Sequence, residues 1–99
     1  MSDKKIPPLH PGDVLQEEFL KPMGFSQSKL ALAIRVPAQR VSEIVHGRRR
    51  ITADTALRLA RFFGNSAQFW LGLQFDYDLD VARDEVGAQI ERDVEVHRA

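Results

Sequence analysis

"RVPAQRVSEIVHGRRR", residues 35–50, decides how this chain is read. Five arginines fall in these sixteen residues, although the whole chain has a formal net charge of zero. Such a stretch either reads a polyanion or is a solvated helix with a charged end. Its local chemistry is helical. Pro37 is preorganised for a helix start, and Gly47 suits the residue that ends one. Between them Val41 and Ile44 share one side, with Arg40 and Glu43 elsewhere on the surface.

Working outward, charge is unevenly distributed. Residues 26–61 carry eight basic and two acidic groups, while residues 62–99 carry three basic and eight acidic ones. This asymmetry suggests a polyanion-facing middle and a different role for the C-terminal part; the plainer reading is a solvated surface that is blocky by chance. At 99 residues, 43% hydrophobic and 28% charged, the chain has the make-up of one small soluble domain. Without cysteine, disulfides, thiolate metal sites and cysteine nucleophiles are excluded, and a cytoplasmic setting is expected. The polar start "MSDKKIPPLHPGD" is not a signal peptide, and no apolar run reaches membrane-spanning length.

Helical periodicity runs throughout, with no alternating strand pattern. Residues 1–10, with Pro7 and Pro8, read as an extended N-terminal arm. Pro11 starts a helix in which Leu15 and Phe19 share a face, and Pro22 with Gly24 stops it. Ser26 caps a second helix bearing Leu30, Ala31 and Ile34 on one side. A short joint leads to the third helix at Pro37. Thr52 caps a fourth, closed by Gly64, and Ser66 caps a fifth. Past Asp80, Val86, Ile90 and Val94 keep helical spacing amid many acids, so residues 81–99 are expected as an acidic C-terminal helix or a tail that folds on contact. The expected fold class is all-α: a compact five-helix bundle, residues 11–80, with a C-terminal helical extension.

Two helices joined by so short a turn, the second opened by proline, form a helix-turn-helix. Ala31 is small where the helices cross, Val36 plugs the turn, and Val41 and Ile44 point back into the core. Over residues 25–79 the chain resembles the Cro/repressor-type (XRE, lambda-repressor-like) helix-turn-helix family. More narrowly, "GRRRITADTALRLARFFG" and "FWLGLQFDYDL" are similar to the HigA (VapI-like) addiction-module antitoxins. The similarity begins at "HPGDVLQEEFLKPMG" and fades near residue 80. Arg35 departs from the pattern, because the turn commonly holds glycine or asparagine; a positive φ there would cost about 1 kcal/mol.

The resemblance implies that Ala38, Gln39, Arg40 and Glu43 face the major groove. Gln39 suits adenine, Arg40 guanine or a phosphate, Glu43 the cytosine amine, and Ala38 a thymine methyl. Gln27 and Ser28, in the first turn of the second helix, suit a phosphate, as do Ser42, Arg48, Arg49, Arg50 and Thr52. The blander readings are an Arg40–Glu43 ion pair at i,i+3 and a solubilising loop that offsets a helix dipole.

Other chemistries fail on spacing. His10, His46 and His97 have no metal-ligand arrangement. "DYDLD" (Asp76, Asp78, Asp80) imitates a calcium loop but lacks its glycine and terminal glutamate, so it reads as helix surface. Phe69, Trp70, Leu73 and Tyr77 read as core rather than a stacking platform, some of them at a dimer interface. No nucleophile and base can be assembled, so no enzyme, cofactor or metal is expected.

The function implied is a non-enzymatic antitoxin that binds double-stranded operator DNA as a homodimer, represses its own operon, and neutralises a small basic HigB-type mRNA-cleaving toxin. The acid from Asp76 to Glu95 would suit a basic toxin, although the N-terminal arm and first helix are equal candidates for that contact. The alternatives are a stand-alone helix-turn-helix regulator and an interaction module that has lost DNA binding.

Overall fold

A computed structural model describes residues 7–98; the first six residues of the expected arm lie outside the described residues. Residues 7–9 are non-helical, and His10 begins the first helix as its N-cap: its Nδ1 accepts from the Gly12 N–H at 2.9 Å. Helix α1 covers residues 11–23, α-helical at Pro11–Val14, π-helical at Leu15–Leu20 and α-helical again at Lys21–Met23. The wide turn has a local cause. Pro22 brings no N–H and its ring crowds the carbonyl one turn back, while the Lys21 N–H reaches the Gln16 carbonyl. Gly24, at φ 62°, ends the helix.

Helix α2 is Gln27–Ile34, α3 is Ala38–Val45 and α4 is Ala53–Phe63. Ser26, Thr52 and Ser66 accept from the N–H groups of Lys29, Thr55 and Phe69, capping α2, α4 and α5 as expected. Pro37 is the N-cap of α3 rather than its first helical residue. Helix α5 covers residues 67–93: Ala67–Ala82, a π-helical Arg83–Gly87, and Ala88–Asp93. Residues 81–99 were open between helix and tail; helix holds as far as Asp93, and Val94 turns extended.

The core joins all five helices. Leu15, Leu20, Leu30, Ala31, Ile34, Val41, Ile44, Ile51, Leu59 and Trp70 are buried. Each large aliphatic contributes about 1.5–3 kcal/mol through removal from water. Trp70 is fully enclosed and donates from Nε1 to Asn65 Oδ1 at 2.8 Å, with the rings of Phe19, Phe63 and Phe69 around it. Phe69 departs from the expectation of core, because it stays substantially exposed at the rim. No described helix is long and apolar enough to cross a membrane.

Candidate nucleic-acid interface

The placement of α3 is over-determined from several sides. Ala31 is buried at the α2–α3 crossing, and Val36 is partly buried against the core. The turn between them closes with the Val36 N–H on the Ala31 carbonyl at 3.0 Å and the Arg35 N–H on the Leu32 carbonyl at 3.3 Å. Arg35 does take the left-handed conformation, φ 62° and ψ 49°. Its strain is offset by Arg58, whose guanidinium donates to the Ile34 carbonyl at 2.8 Å and to the Arg35 carbonyl at 3.4 Å. At the other end of α3, α1 approaches so closely that only glycine fits at position 12: a Cβ there would lie 1.8 Å from the Ile44 carbonyl oxygen.

Helix α3 therefore buries Val41 and Ile44 and presents Ala38 and Gln39 to solvent, with Arg40 and Glu43 half-buried beside them. The i,i+3 pairing of Arg40 with Glu43 does not form. Arg40 reaches Asp54 of α4 instead, at 3.3 Å, and Arg58 shares that carboxylate at 2.9 Å. Glu43 accepts from Arg49 at 2.8 Å and from Gln39 at 3.1 Å. These two donors, Arg49 foremost, hold the Glu43 carboxyl below its usual range. The Asp54 carboxyl is likewise lowered, chiefly by the Arg58 hydrogen bond.

Arg48, Arg49 and Arg50 are exposed on the segment after α3, which turns at Gly47, φ 74°. That segment is anchored by a residue that sequence reasoning missed. Buried Gln74 of α5 accepts from the Ile51 N–H at 2.7 Å and donates to Asp78 at 2.9 Å, and Asp78 pairs with Arg50 at 3.0 Å. The available signal was a glutamine four residues from Trp70, on the face that α5 turns inward. "DYDLD" is thus helix surface, with Asp78 bracing the arginine segment.

Among the other expected phosphate contacts, Ser28 is exposed in the first turn of α2, and Gln27 is half-buried with its amide 3.5 Å from Gln16 Oε1. The Ser42 hydroxyl lies 3.5 Å from the His46 ring, whose Nδ1 is 2.8 Å from the Ser42 carbonyl oxygen. Thr52 is occupied as the cap of α4. The structure thus gathers Gln27, Ser28, Ala38, Gln39, Arg40, Glu43 and Arg48–Arg50 around α3, while Thr52 works locally. His10, dismissed as a metal ligand, is buried with its ring edge-on to Tyr77, centroids 4.9 Å apart. Among the described residues no cluster of histidine and carboxylate side chains could hold a metal ion.

Comparison with known proteins matches a helix-turn-helix family model to residues 17–70. Virulence-associated protein I of Dichelobacter nodosus is 53% identical over 82% of this chain and 75% of its own length. A solved structure of Pseudomonas aeruginosa antitoxin HigA with the higBA promoter superimposes with a TM-score of 0.87, at 46% identity over 89% of this chain and 96% of that one. A further solved structure, of PA4674 from Pseudomonas aeruginosa in complex with operator DNA of 18 base pairs, gives a TM-score of 0.91 at 46% identity, covering 93% of this chain and 97% of that one.

Proposed function

Because this chain belongs to the XRE-type helix-turn-helix family, in the branch of the HigA and VapI-like antitoxins, we propose that it binds operator DNA as a dimer and represses its own operon. The observation that carries this reading is the rigid seating of α3. Ile44, the turn at Arg35 and the Gln74-held loop aim the surface of Gln39, Arg40 and Glu43 outward beside three arginines. Residues 11–80 then act as the DNA-binding domain. Gln39, Arg40, Glu43 and Ala38 read base edges, while Gln27, Ser28, Ser42, Arg48, Arg49 and Arg50 meet phosphates and Thr52 stays the cap of α4. Two copies would set their α3 helices about 34 Å apart in successive major grooves. Operator DNA of 18 and of 28 base pairs, each solved with a relative, is long enough for two half-sites so spaced.

The test is a binding titration against the DNA upstream of the protein's own gene at two salt concentrations. Affinity should fall with salt at a slope of about −0.9 per neutralised phosphate. Gln39→Ala should cost about 1–3 kcal/mol on the cognate site alone, whereas alanine at Arg48, Arg49 and Arg50 should weaken every sequence together. A flat salt response, or silence of both changes, would sink the reading.

The same proposal includes neutralisation of a small basic toxin of the HigB mRNA-cleaving type, and a cytoplasmic, non-enzymatic role. The acidic surface of α5 and the tail beyond it (Glu85, Glu91, Asp93, Glu95) supports a basic partner. If a small basic protein is encoded beside the gene, co-expressing this chain should restore the growth that the basic protein arrests when expressed alone. Failure to rescue, with DNA binding intact, would leave a stand-alone regulator.

A further inference from the structure

A cleft of about 600 Å³ opens between α2 and α4, with Ala33 on one wall and Asp54, Leu57, Arg58, Arg61 and Phe62 on the other. Asp54, Leu57, Arg58 and Arg61 recur every three or four positions, so they share one face of α4. Leu57 is 64% exposed, an apolar side chain left in water in the middle of that face. Phe62 is half-buried, its ring 5.4 Å from that of Phe25.

The two arginines of the cleft differ in state. Arg58 is fixed: its Nε donates to Asp54 at 2.9 Å, and its Nη1 donates to the Ile34 and Arg35 carbonyls at 2.8 and 3.4 Å. Its Nη2, with two further N–H donors, meets no acceptor among the described residues. Arg61 is exposed and pairs with no carboxylate among the described residues.

We propose that this cleft binds a small monocarboxylate with an apolar body, of the kind a medium-chain fatty acid presents, and that its occupation weakens operator binding. The second half rests on the DNA-binding reading above; the first does not. The charge of the cleft selects the head group. Arg58 Nη2 and Arg61 offer donors to one anion, and Arg58 needs no ordering because its other donors are already held. Asp54 in the same wall disfavours a phosphate dianion, whereas a single negative charge leaves Arg58, Arg61, Asp54 and the ligand neutral together. The walls select the body. An inorganic anion would leave Ala33, Leu57 and Phe62 in water, while an alkyl chain laid over them removes them from it. The volume is that of a small-molecule site.

Arg58 also links the cleft to the DNA-facing surface. It braces the carbonyls of the strained turn before α3, and Asp54 bridges it to Arg40. A bound carboxylate draws on Arg58, so Asp54 holds Arg40 more firmly. A phosphate then has a tighter partner to displace, and an anion has joined the cluster that the polyanion must approach. Operator and carboxylate therefore oppose each other, and by linkage each weakens the other by the same factor.

Octanoate is the probe, kept below the concentration at which it forms micelles and matched in ionic strength with sodium chloride. Titrated into the full chain, it should saturably shift the backbone amide resonances of Ala33, Leu57, Arg61 and Phe62, and hardly move those of α1 and α5. Octanol, without the charge, and acetate, without the chain, should each bind about tenfold more weakly or worse. Arg61→Ala should lose octanoate binding by about tenfold, while its circular dichroism and its operator affinity without octanoate match the wild type. Octanoate at saturation should raise the operator Kd of the wild type about fivefold, and at the same concentration should raise that of Arg61→Ala far less. Scattered or unsaturable shifts, equal binding of octanol, or undiminished binding by Arg61→Ala would overturn the site. Octanoate bound in the cleft with operator affinity unchanged would overturn the coupling through Arg58. A chain that binds octanoate there and no operator at all would support the site and remove the DNA-binding reading.

Discussion

Replacing Gly12 by alanine tests how α3 is held. Gly12 lies in the first turn of α1, against the end of α3. An added Cβ would stand 1.8 Å from the Ile44 carbonyl oxygen, 2.7 Å from its carbon and 3.0 Å from the Val45 Cα. All three atoms are backbone, so no side chain can swing aside, and the two helices must separate by about 1.5 Å to reach ordinary contact. Overpacking costs about 1–3 kcal/mol, and a clash between backbones belongs at the top of that range. At about 4–8 °C per kcal/mol for a chain of this size, Gly12→Ala should lower Tm by about 12–24 °C. Thermal unfolding followed by circular dichroism, at one fixed protein concentration, measures it. Gly87→Ala is the control: its Cβ meets only the Arg83 Cβ, at an ordinary 3.8 Å, so it should be neutral or stabilise by up to about 1 kcal/mol. A loss below about 4 °C in Gly12→Ala would mean that α1 does not grip the end of α3 as described.

Three further outcomes are expected. Arg35→Gly should stabilise the fold by up to about 1 kcal/mol, because glycine takes φ 62° without strain; a lowered Tm would place the value of Arg35 in its side chain. Gln74→Leu removes the acceptor of the buried Ile51 N–H and should cost about 1–3 kcal/mol, seen as a lower urea midpoint at unchanged slope; an unchanged midpoint would refute the anchoring role. Burial lowers the His10 pKa from 6.5, with Asp13 and Asp78 opposing, so the unfolded chain takes up a proton more readily than the folded one. Stability should therefore rise with pH through the window just below 6.5, and His10→Asn, which keeps a capping oxygen, should flatten that slope in Tm against pH.

The helices were legible because their ends carry local chemistry. Ser26, Thr52 and Ser66 cap through their own hydroxyls, and Gly24, Gly47 and Gly64 take the positive φ that other residues avoid. The seating of α3 was also legible, since a small Ala31 and apolar Val41 and Ile44 are what a helix crossing requires. Pairing across the fold was not. Arg40 looks from its spacing like a partner for Glu43, but α4 brings Asp54 into reach while the turn at Gly47 brings Arg49 back to Glu43. The partners of Gln74 (the Ile51 N–H) and of the His10 ring (Tyr77) are brought near only by folding, although the His10 cap on the Gly12 N–H is local. Phe69 misled because a helical aromatic cluster has an inner and an outer member, and spacing alone does not separate them. The order of residues 81–93 was ambiguous because acids and Gly87 argue against helix locally, while the apolar repeat argues for it.

Three of the arginines assigned to DNA already hold carboxylates: Arg40 on Asp54, Arg49 on Glu43 and Arg50 on Asp78. In the proposed complex a phosphate would have to replace a carboxylate at each of them. Exposed ion pairs contribute only about 0–1 kcal/mol, so such exchanges are inexpensive, and they keep the arginines extended near the surface in the meantime. Glu43 behaves differently. Two donors keep it ionised, and no phosphate can satisfy it once Arg49 turns to the DNA backbone. Only a base edge offering a donor, such as the cytosine amine, restores its hydrogen bonding; other bases leave a carboxylate desolvated against a polyanion. In the proposed complex Arg49 and Glu43 would divide the work between them: the arginine would strengthen binding to any duplex, and the carboxylate it releases would penalise those with the wrong base. Neutral Glu43→Gln should accordingly bind non-specific DNA more tightly while discriminating less between sites, and a loss of affinity for both kinds of DNA would contradict that division.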